Sequence, residues 1–247
     1  MVDRSVIYML VGRSRQQMKI LIIIPAYNEA ENIVNVVENL KSKYQMFDYV
    51  VVNDGSRDKT AEICRNNKYN LVDLPINLGL SGAFQTGMKY AYYNNYDYAI
   101  QYDGDGQHNP EYIEGMVRSA EKNGLDIVIG SRFVTEKKPH TLRMMGNSLI
   151  ELCMLLTSRK RIRDATSGMR LYNKRMIKKL ATTMNCGPEP DTIAYLLRCG
   201  AKVEEYQVHM NERVAGESYL NLTRSIKYMF HMCSSILIVQ WFRDKEN

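Results

Sequence analysis

The sequence predicts an α/β fold: a mostly parallel central sheet with helices on both faces, followed by a less regular second half. Three observations carry this reading. Residues 19–25 (KILIIIP) form a near-continuous apolar run, as a central parallel strand buried on both faces requires. Strand-like and helix-like patterns then alternate as far as residue 130. The ends of the predicted strands, finally, collect acids, amides and glycines, where open α/β sheets bind their ligands.

Taken in order, Ile33, Val34, Val36, Val37 and Leu40 form one apolar face of a first helix. Residues 49–53 (YVVVN) are a second strand, and Asp58 is placed to cap the helix after it. A short third strand at 70–74 leads through a glycine-containing loop to a helix over 81–93. Residues 98–102 (YAIQY) are a fourth strand, and Asn109-Pro110, a cap residue followed by proline, opens the next helix. Residues 125–130 (LDIVIG) are a fifth strand. This β-α-β-α order implies parallel pairing through crossover helices. Beyond Arg132 the rhythm loosens into a helix over 142–156, a basic stretch, a helix over 192–199, a strand at 203–208 and a last helix over 220–241.

With 247 residues, 45% hydrophobic and 24% charged, the chain can bury one sizeable core, which excludes disordered, collagen-like and disulfide-stapled classes. No apolar run approaches the roughly 18 residues of a membrane-spanning helix. A net charge of +6 suits an anionic substrate or a membrane surface without demanding nucleic acid. Five cysteines with no C-x-x-C pair point to reduced thiols and a cytoplasmic setting. Residues 1–17 are read as a leader of unassigned role, 18–218 as one catalytic-type domain, and 219–247 as an apolar, amphipathic helix. That helix is suited to lie on a membrane, on the core, on a membrane protein or on a second copy of the chain.

Three predicted strand ends converge on one rim: Pro25-Ala26-Tyr27-Asn28-Glu29, Asn53-Asp54-Gly55-Ser56, and Asp103-Gly104-Asp105-Gly106-Gln107-His108. No G-x-G-x-x-G follows the first strand and no G-x-x-x-x-G-K-[ST] occurs, which argues against dinucleotide oxidoreductases and P-loop enzymes. Asp103 and Asp105 are spaced to share a divalent cation whose open positions take diphosphate oxygens. An EF-hand loop is excluded, because Gln107 and His108 stand where it needs Asp or Asn and Gly. Alone, the turn reads equally well as a polar strand end.

The ordered set PAYNE, NDGS, N-x-G-x-x-G-A-x-x-x-G (Asn77 to Gly87), DGDGQH and GSRF (Gly130 to Phe133) resembles the inverting family 2 glycosyltransferases of GT-A (Rossmann-like) fold. The resemblance implies a glycosyltransferase of hexosyltransferase type using a nucleotide-diphosphate sugar and Mg²⁺ or Mn²⁺. By that resemblance Pro25, Ala26, Tyr27, Glu29, Asn53, Asp54, Gly79, Gln85, Asp103 and Gly104 line the donor pocket. Asp103, Asp105 and Gln107 would hold the metal, with Asp105 the catalytic anchor. Asn53 departs from the Asp that many members have there.

Asp164-Ala165-Thr166-Ser167-Gly168-Met169-Arg170 is similar to the D-x-T-S-G-F-R stretch of dolichol-phosphate mannose synthases and bacterial polyprenyl-phosphate relatives. The same resemblance extends to Arg213-Val214-Ala215-Gly216-Glu217-Ser218. It implies that Arg132, Arg143, Ser167, Arg170 and Arg213 meet the phosphate of a polyprenyl phosphate acceptor, in keeping with the bidentate reach of arginine. Gly146 stands where Ser is common. Nine basic residues and one acid lie between Arg159 and Lys179, and most of those lysines read as a solvated helix face. An alternative is transfer to a glycan hydroxyl, such as adding rhamnose or glucose to a surface polysaccharide, with Asp191 (or Glu189) as general base. A third reading is a sugar-nucleotide-binding subunit without turnover. The favoured setting is the inner membrane face, with peripheral contact, a membrane-protein partner or a homodimer all compatible.

Overall fold

The computed structural model describes residues 18–104, 106–139, 141–183, 186–210 and 222–242. At its centre β1 (Ile20–Ala26) lies between β2 (Asp48–Asn53) and β4 (Tyr98–Gln101), parallel to both. With β3 (Leu71–Asp73), β5 (Ile127–Ser131), β6 (Arg170–Asn173) and β7 (Val203–Gln207) they form a seven-stranded sheet of order β3-β2-β1-β4-β6-β5-β7. Every pairing is parallel except those of β6, which runs antiparallel to β4 and β5.

The helices are α1 (Ile33–Lys43), α2 (Thr60–Asn66), α3 (Gly79–Tyr93), α4 (Ile113–Asn123), α5 (Leu142–Ser158), α6 (Lys174–Thr182), α7 (Pro190–Arg198) and α8 (Leu222–Leu237). Successive side chains of β1 enter two different cores, as the period of a strand dictates. Leu21 and Ile23 pack with α3, α6 and α7, whereas Ile22 and Ile24 pack with α1 and α4. The apolar face of α1 is the expected one, with Ile33, Val36, Val37 and Leu40 buried. Gly87 brings α3 down onto β1, since a Cβ there would overlap Ile23 Cγ2.

Six of the seven strands stand within a residue or two of where the sequence places them, β7 among them, and β6 is the one it does not predict. This strand has four residues and opens on Arg170, a charged side chain only 1% exposed. Its guanidinium is satisfied in part by its own preceding turn, Nε donating to the Ser167 carbonyl (2.8 Å) and Nη2 to that of Ala165 (2.7 Å), while Nη1 is buried without a hydrogen-bond partner among the described residues. The basic stretch likewise conceals α6, whose Met176, Ile177, Leu180 and Ala181 are buried while its lysines face outward. Other departures are small. The helix expected from 81 begins at Gly79, and the last helix ends at Leu237, a short 3-10 turn (Val239–Phe242) following. Asp58 sits one residue before the α2 cap position, where its carboxylate accepts from the N–H groups of Thr60 (2.9 Å) and Ala30 (3.1 Å). Among the described residues no helix is long and apolar enough to cross a membrane, and all five cysteines are free thiols.

Buried charges fasten the second half to the sheet. Asp126, at the start of β5, accepts from Arg175 Nε (2.9 Å), Asn173 Nδ2 (2.9 Å) and Lys202 N–H (2.8 Å). Burial pushes the Asp126 carboxyl up, but Arg175 and the two amides outweigh it and hold its pKa below the ordinary value.

Candidate active site at the carboxyl ends of the strands

The ends of β1 and β2 are laced together by backbone groups and short side chains. Asn28, in the left-handed region at φ 57°, donates its N–H to Ser56 Oγ (2.9 Å) and accepts from the Arg57 N–H (2.9 Å). Glu29 N–H reaches Thr60 Oγ1 (2.9 Å). Asp54 is buried; its N–H donates to the Ala26 carbonyl (2.9 Å) and its carboxylate accepts from Leu78 N–H (2.7 Å). Gly55 takes φ 62°, and a Cβ there would stand 2.6 Å from Asn77 N, so glycine lets the loop into α3 close over the β2 end.

The rim is completed by the turn after β4. Asp103 keeps its side chain 37% exposed. Gln101 Nε2 donates to one carboxylate oxygen (3.3 Å), and the Asp103 N–H donates to His108 Nδ1 (3.0 Å). With Nδ1 accepting, a neutral His108 ring carries its proton on Nε2, 3.7 Å from the other Asp103 oxygen. His108 is 4% exposed, and its carbonyl accepts the Tyr102 hydroxyl. It therefore orients the turn from beneath. Gly104 rests against the Pro25 carbonyl and Glu29 Cγ, joining this turn to the β1 end.

Because β6 is antiparallel, the residues before it, not after it, reach the same rim. Gly168 lies directly on Asp103, and a Cβ there would overlap the carboxylate. Asp164, whose side chain is fully buried, receives a bidentate fork from Arg132, Nε and Nη2 each at 2.8 Å, as well as the Arg132 N–H (3.1 Å). Burial lowers the Arg132 pKa, but the Asp164 carboxylate outweighs this and raises it overall. Asn147 of α5 reaches the same carboxylate at 3.5 Å.

Several residues expected at the site stand elsewhere. Gln85 turns away from the rim, donating Nε2 to the carbonyls of Thr183 (2.8 Å) and Leu180 (3.4 Å) at the end of α6. Asn53 is buried, its amide joined to Asp73 (2.6 Å) and Ser56 Oγ (2.5 Å), so it shapes the β2 end from below. Ser167 and Arg170 are 1% exposed and hold the turn before β6 together rather than presenting donors to a ligand. Asp191, in the first turn of α7, accepts the Ser235 hydroxyl of α8 (2.6 Å), and Glu189 accepts that of Tyr228 (2.6 Å). Burial and the Glu189 carboxylate push the Tyr228 hydroxyl pKa far up. Pro25, Ala26, Tyr27, Glu29, Asp54, Gly79, Asp103, Gly104 and Gln107 lie on or beside the rim. Asp105 and Arg213, with its R-x-x-G-x-S turn, lie outside the described residues, as does the Arg143 side chain.

Sequence reasoning missed Gln101, Asp164 and Gly168 as organisers of Asp103 and Arg132. One signal was available, since a lone amide in the apolar strand YAIQY requires a buried partner. Gly168 had none, because its contact joins turns far apart in sequence.

Residues 21–181 match the model of glycosyl transferase family 2. The chain is 31% identical over 182 residues to the UDP-N-acetylglucosamine–dolichyl-phosphate N-acetylglucosaminyltransferase of Methanococcus voltae, covering 66% of this chain and 72% of that one. It is 27% identical over 219 residues to the undecaprenyl-phosphate mannosyltransferase of Micrococcus luteus, covering 83% and 88%. In fold it is similar to the glucosyl-3-phosphoglycerate synthase of Mycobacterium tuberculosis, solved with Mn²⁺, UDP and phosphoglyceric acid. The TM-score is 0.65 at 15% identity, over 92% of this chain and 80% of that one. A match spanning most of the sheet and the Asp103 turn, on a strand order with β6 reversed, makes this chain a member of glycosyl transferase family 2, a glycosyltransferase of GT-A fold.

Proposed function

We propose that the chain transfers a sugar from a nucleotide-diphosphate donor to polyprenyl phosphate, with inversion at the anomeric carbon. The observation that carries this is the seating of Gly168 on Asp103, within the same turn that holds Asp164 and Arg132. On this reading one turn, residues 164–168, links the diphosphate-side and acceptor-side groups. An acceptor phosphate oxygen would attack the anomeric carbon as its bond to the donor diphosphate breaks, releasing the nucleoside diphosphate. The acceptor is already anionic and needs no general base.

The residues present fit a divalent cation. Asp103 offers hard oxygen donors from a partly exposed carboxylate, in a cradle that any Cβ at position 168 would fill. Asp103, Asp105 and Gln107 would hold Mg²⁺ or Mn²⁺, which when bound neutralises charge on the leaving diphosphate. Pro25 to Glu29, Asp54 and Gly79 would line the nucleotide side. Arg132, Arg143 and Arg213 would face the acceptor, Arg132 being pre-set by its fork on Asp164.

The two relatives support the acceptor class, since both are named for transfer to a polyprenyl-type phosphate. Burial of Asp191 against Ser235 weighs against its use as a base for a glycan hydroxyl. Work at the inner membrane face, peripheral to the bilayer, belongs to the same reading.

The test is a radiolabelled-donor assay with Mg²⁺ or Mn²⁺, across several nucleotide sugars, with and without polyprenyl phosphate. Label should enter the organic phase only when the lipid phosphate is present. Asp191→Asn should leave that rate near wild type; a loss of about 10²–10⁴-fold would return the glycan-hydroxyl acceptor.

A further inference from the structure

Just before the Asp103 turn, two buried polar atoms are left without partners, and they belong to residues that face one another across the sheet. Gln101 and Arg170 are each 1% exposed and are opposed in the antiparallel register of β4 and β6. Gln101 Nε2 donates to the Asp103 carboxylate (3.3 Å), whereas its Oε1 has no donor among the described residues. Arg170 commits Nε and Nη2 to the carbonyls of Ser167 and Ala165, which leaves Nη1 over. Only two other buried side-chain atoms of the described residues are in this condition, the Tyr69 hydroxyl and Asn147 Oδ1. Tyr69 belongs to the opposite core and Asn147 Oδ1 only accepts, so Arg170 Nη1 is the unpaired donor on the Gln101 side.

Strand geometry puts the two side chains on one face. Gln101 stands two residues after Ala99 and Arg170 two before Tyr172, and both of those enter the core shared with α3, α6 and α7. Opposed residues on one face stand about 4.5–5.5 Å apart at Cβ, so the two polar ends share a neighbourhood. Chemistry then fixes the sense of the amide. An ionised Asp103 only accepts, so Gln101 must offer it the NH₂ group, which leaves Oε1 in need of a donor. Turned over, the amide would set its oxygen against the carboxylate. Arg170 Nη1 is a donor in need of an acceptor, and one water accepting from it while donating to Oε1 satisfies both atoms. A buried cation whose described partners are two carbonyls is otherwise a costly way to open a strand, because an apolar side chain of similar volume would serve as well.

We infer that Arg170 is a positioning residue for Asp103: through a water bridging Nη1 to Gln101 Oε1, it fixes the sense of the Gln101 amide and keeps Nε2 on the carboxylate. Its purpose rests on the reading of Asp103 as a cation ligand, since the carboxylate then meets the metal already oriented. The test is a double-mutant cycle in the full chain, with Mn²⁺ alone as the probe and electron paramagnetic resonance as the readout. Gln101→Leu and Arg170→Met should each weaken Mn²⁺ binding about ten-fold, as loss of a group that orients a metal ligand does. The two changes together should weaken it no further, because Arg170 acts only through Gln101. The double variant removes both unpaired atoms at once, so it should fold even where Arg170→Met alone does not. Losses that multiply to about a hundred-fold, or an Arg170→Met variant with lowered Tm but wild-type Mn²⁺ affinity, would overturn the inference. Tyr172→Phe is the control, because the Tyr172 hydroxyl also lies by the guanidinium, which draws its pKa down against the rise from burial. It should leave Mn²⁺ binding unchanged; a loss equal to that of Arg170→Met would overturn the bridge and pass the role to that hydroxyl. A crystal structure of the metal-free chain should show one water within hydrogen-bond distance of both Nη1 and Oε1, and no water there would also overturn the bridge. Should the wild type bind no Mn²⁺, that water in the crystal would leave Arg170 positioning Asp103 and remove the cation reading alone.

Discussion

On one side of Asp103 the ends of β1 and β2 are closed by backbone amides and small side chains: Asn28 with Ser56, Glu29 with Thr60, Asp54 with Leu78. On the other side, the connection from β5 to β6 is held by long charged groups largely taken out of water: Arg132 on Asp164, Arg170 on two carbonyls, and Lys138 on Glu151, which the exposed Arg161 also meets. The first arrangement spends many short bonds and buries little charge. The second depends on a few pairs whose members are each costly to leave alone. The side closed by short bonds should therefore absorb single losses, whereas the side held by charged pairs should fail when one partner goes.

The largest effect should come from Asp164→Ala. It strands the mostly buried Arg132 guanidinium and should cost about 3–5 kcal/mol of stability, read from urea unfolding. A cost as small as that of an exposed pair would erase the contrast between the two sides. Next, Gly168→Ala should displace the Asp103 carboxylate, and a misplacement of about 1 Å predicts a loss near 10²-fold in kcat with the fold intact. Mn²⁺ binding, followed by electron paramagnetic resonance, should weaken alongside. Gly87→Ala sharpens the comparison from the core: overlap with Ile23 should cost about 1–3 kcal/mol yet leave kcat of the folded protein unchanged.

The smallest effect concerns pH. Burial raises the Glu151 pKa, but Lys138 and Arg161 outweigh burial and set it below the ordinary 4.5. A depressed folded pKa means that the contribution is complete above the ordinary value and is lost as pH falls through the depressed one. Glu151→Gln should therefore flatten the dependence of Tm on pH in acid while lowering Tm near neutrality. Melts recorded from about pH 6 to about pH 3 would show this, and an unchanged slope would exclude Glu151 as an acid-labile fastening.

How far the molecule was legible in its sequence follows the same division. β1, β2 and β5 announce themselves through apolar runs, and β4 through one broken only by Gln101, because a strand buried on both faces has little other composition open to it. Their polar ends could be read as a rim because topology alone brings strand ends together. β6 resisted for the opposite reason: its burial is purchased by carbonyls of its own preceding turn, a local solution with no periodic signature. Gln85 misled because its motif position says nothing of which way a helix is rotated, and on α3 that rotation is set by Gly87 against Ile23. Gly168 and Gln101 act on Asp103 through space, and one-dimensional spacing does not encode such contacts.

The reversal of β6 also makes the connection between β5 and β6 separable. β5 ends at Ser131 and β6 begins at Arg170, and Ile129 pairs with Arg170 across the two strands. Everything from residue 132 to 169 thus leaves the sheet and returns to it at neighbouring hydrogen-bonded positions, as an enlarged hairpin connection would. Such a segment is a natural unit of exchange. It can be lengthened, shortened or replaced without changing strand order, so this wall of the site can diverge while the rim on the far side of Asp103 is inherited untouched.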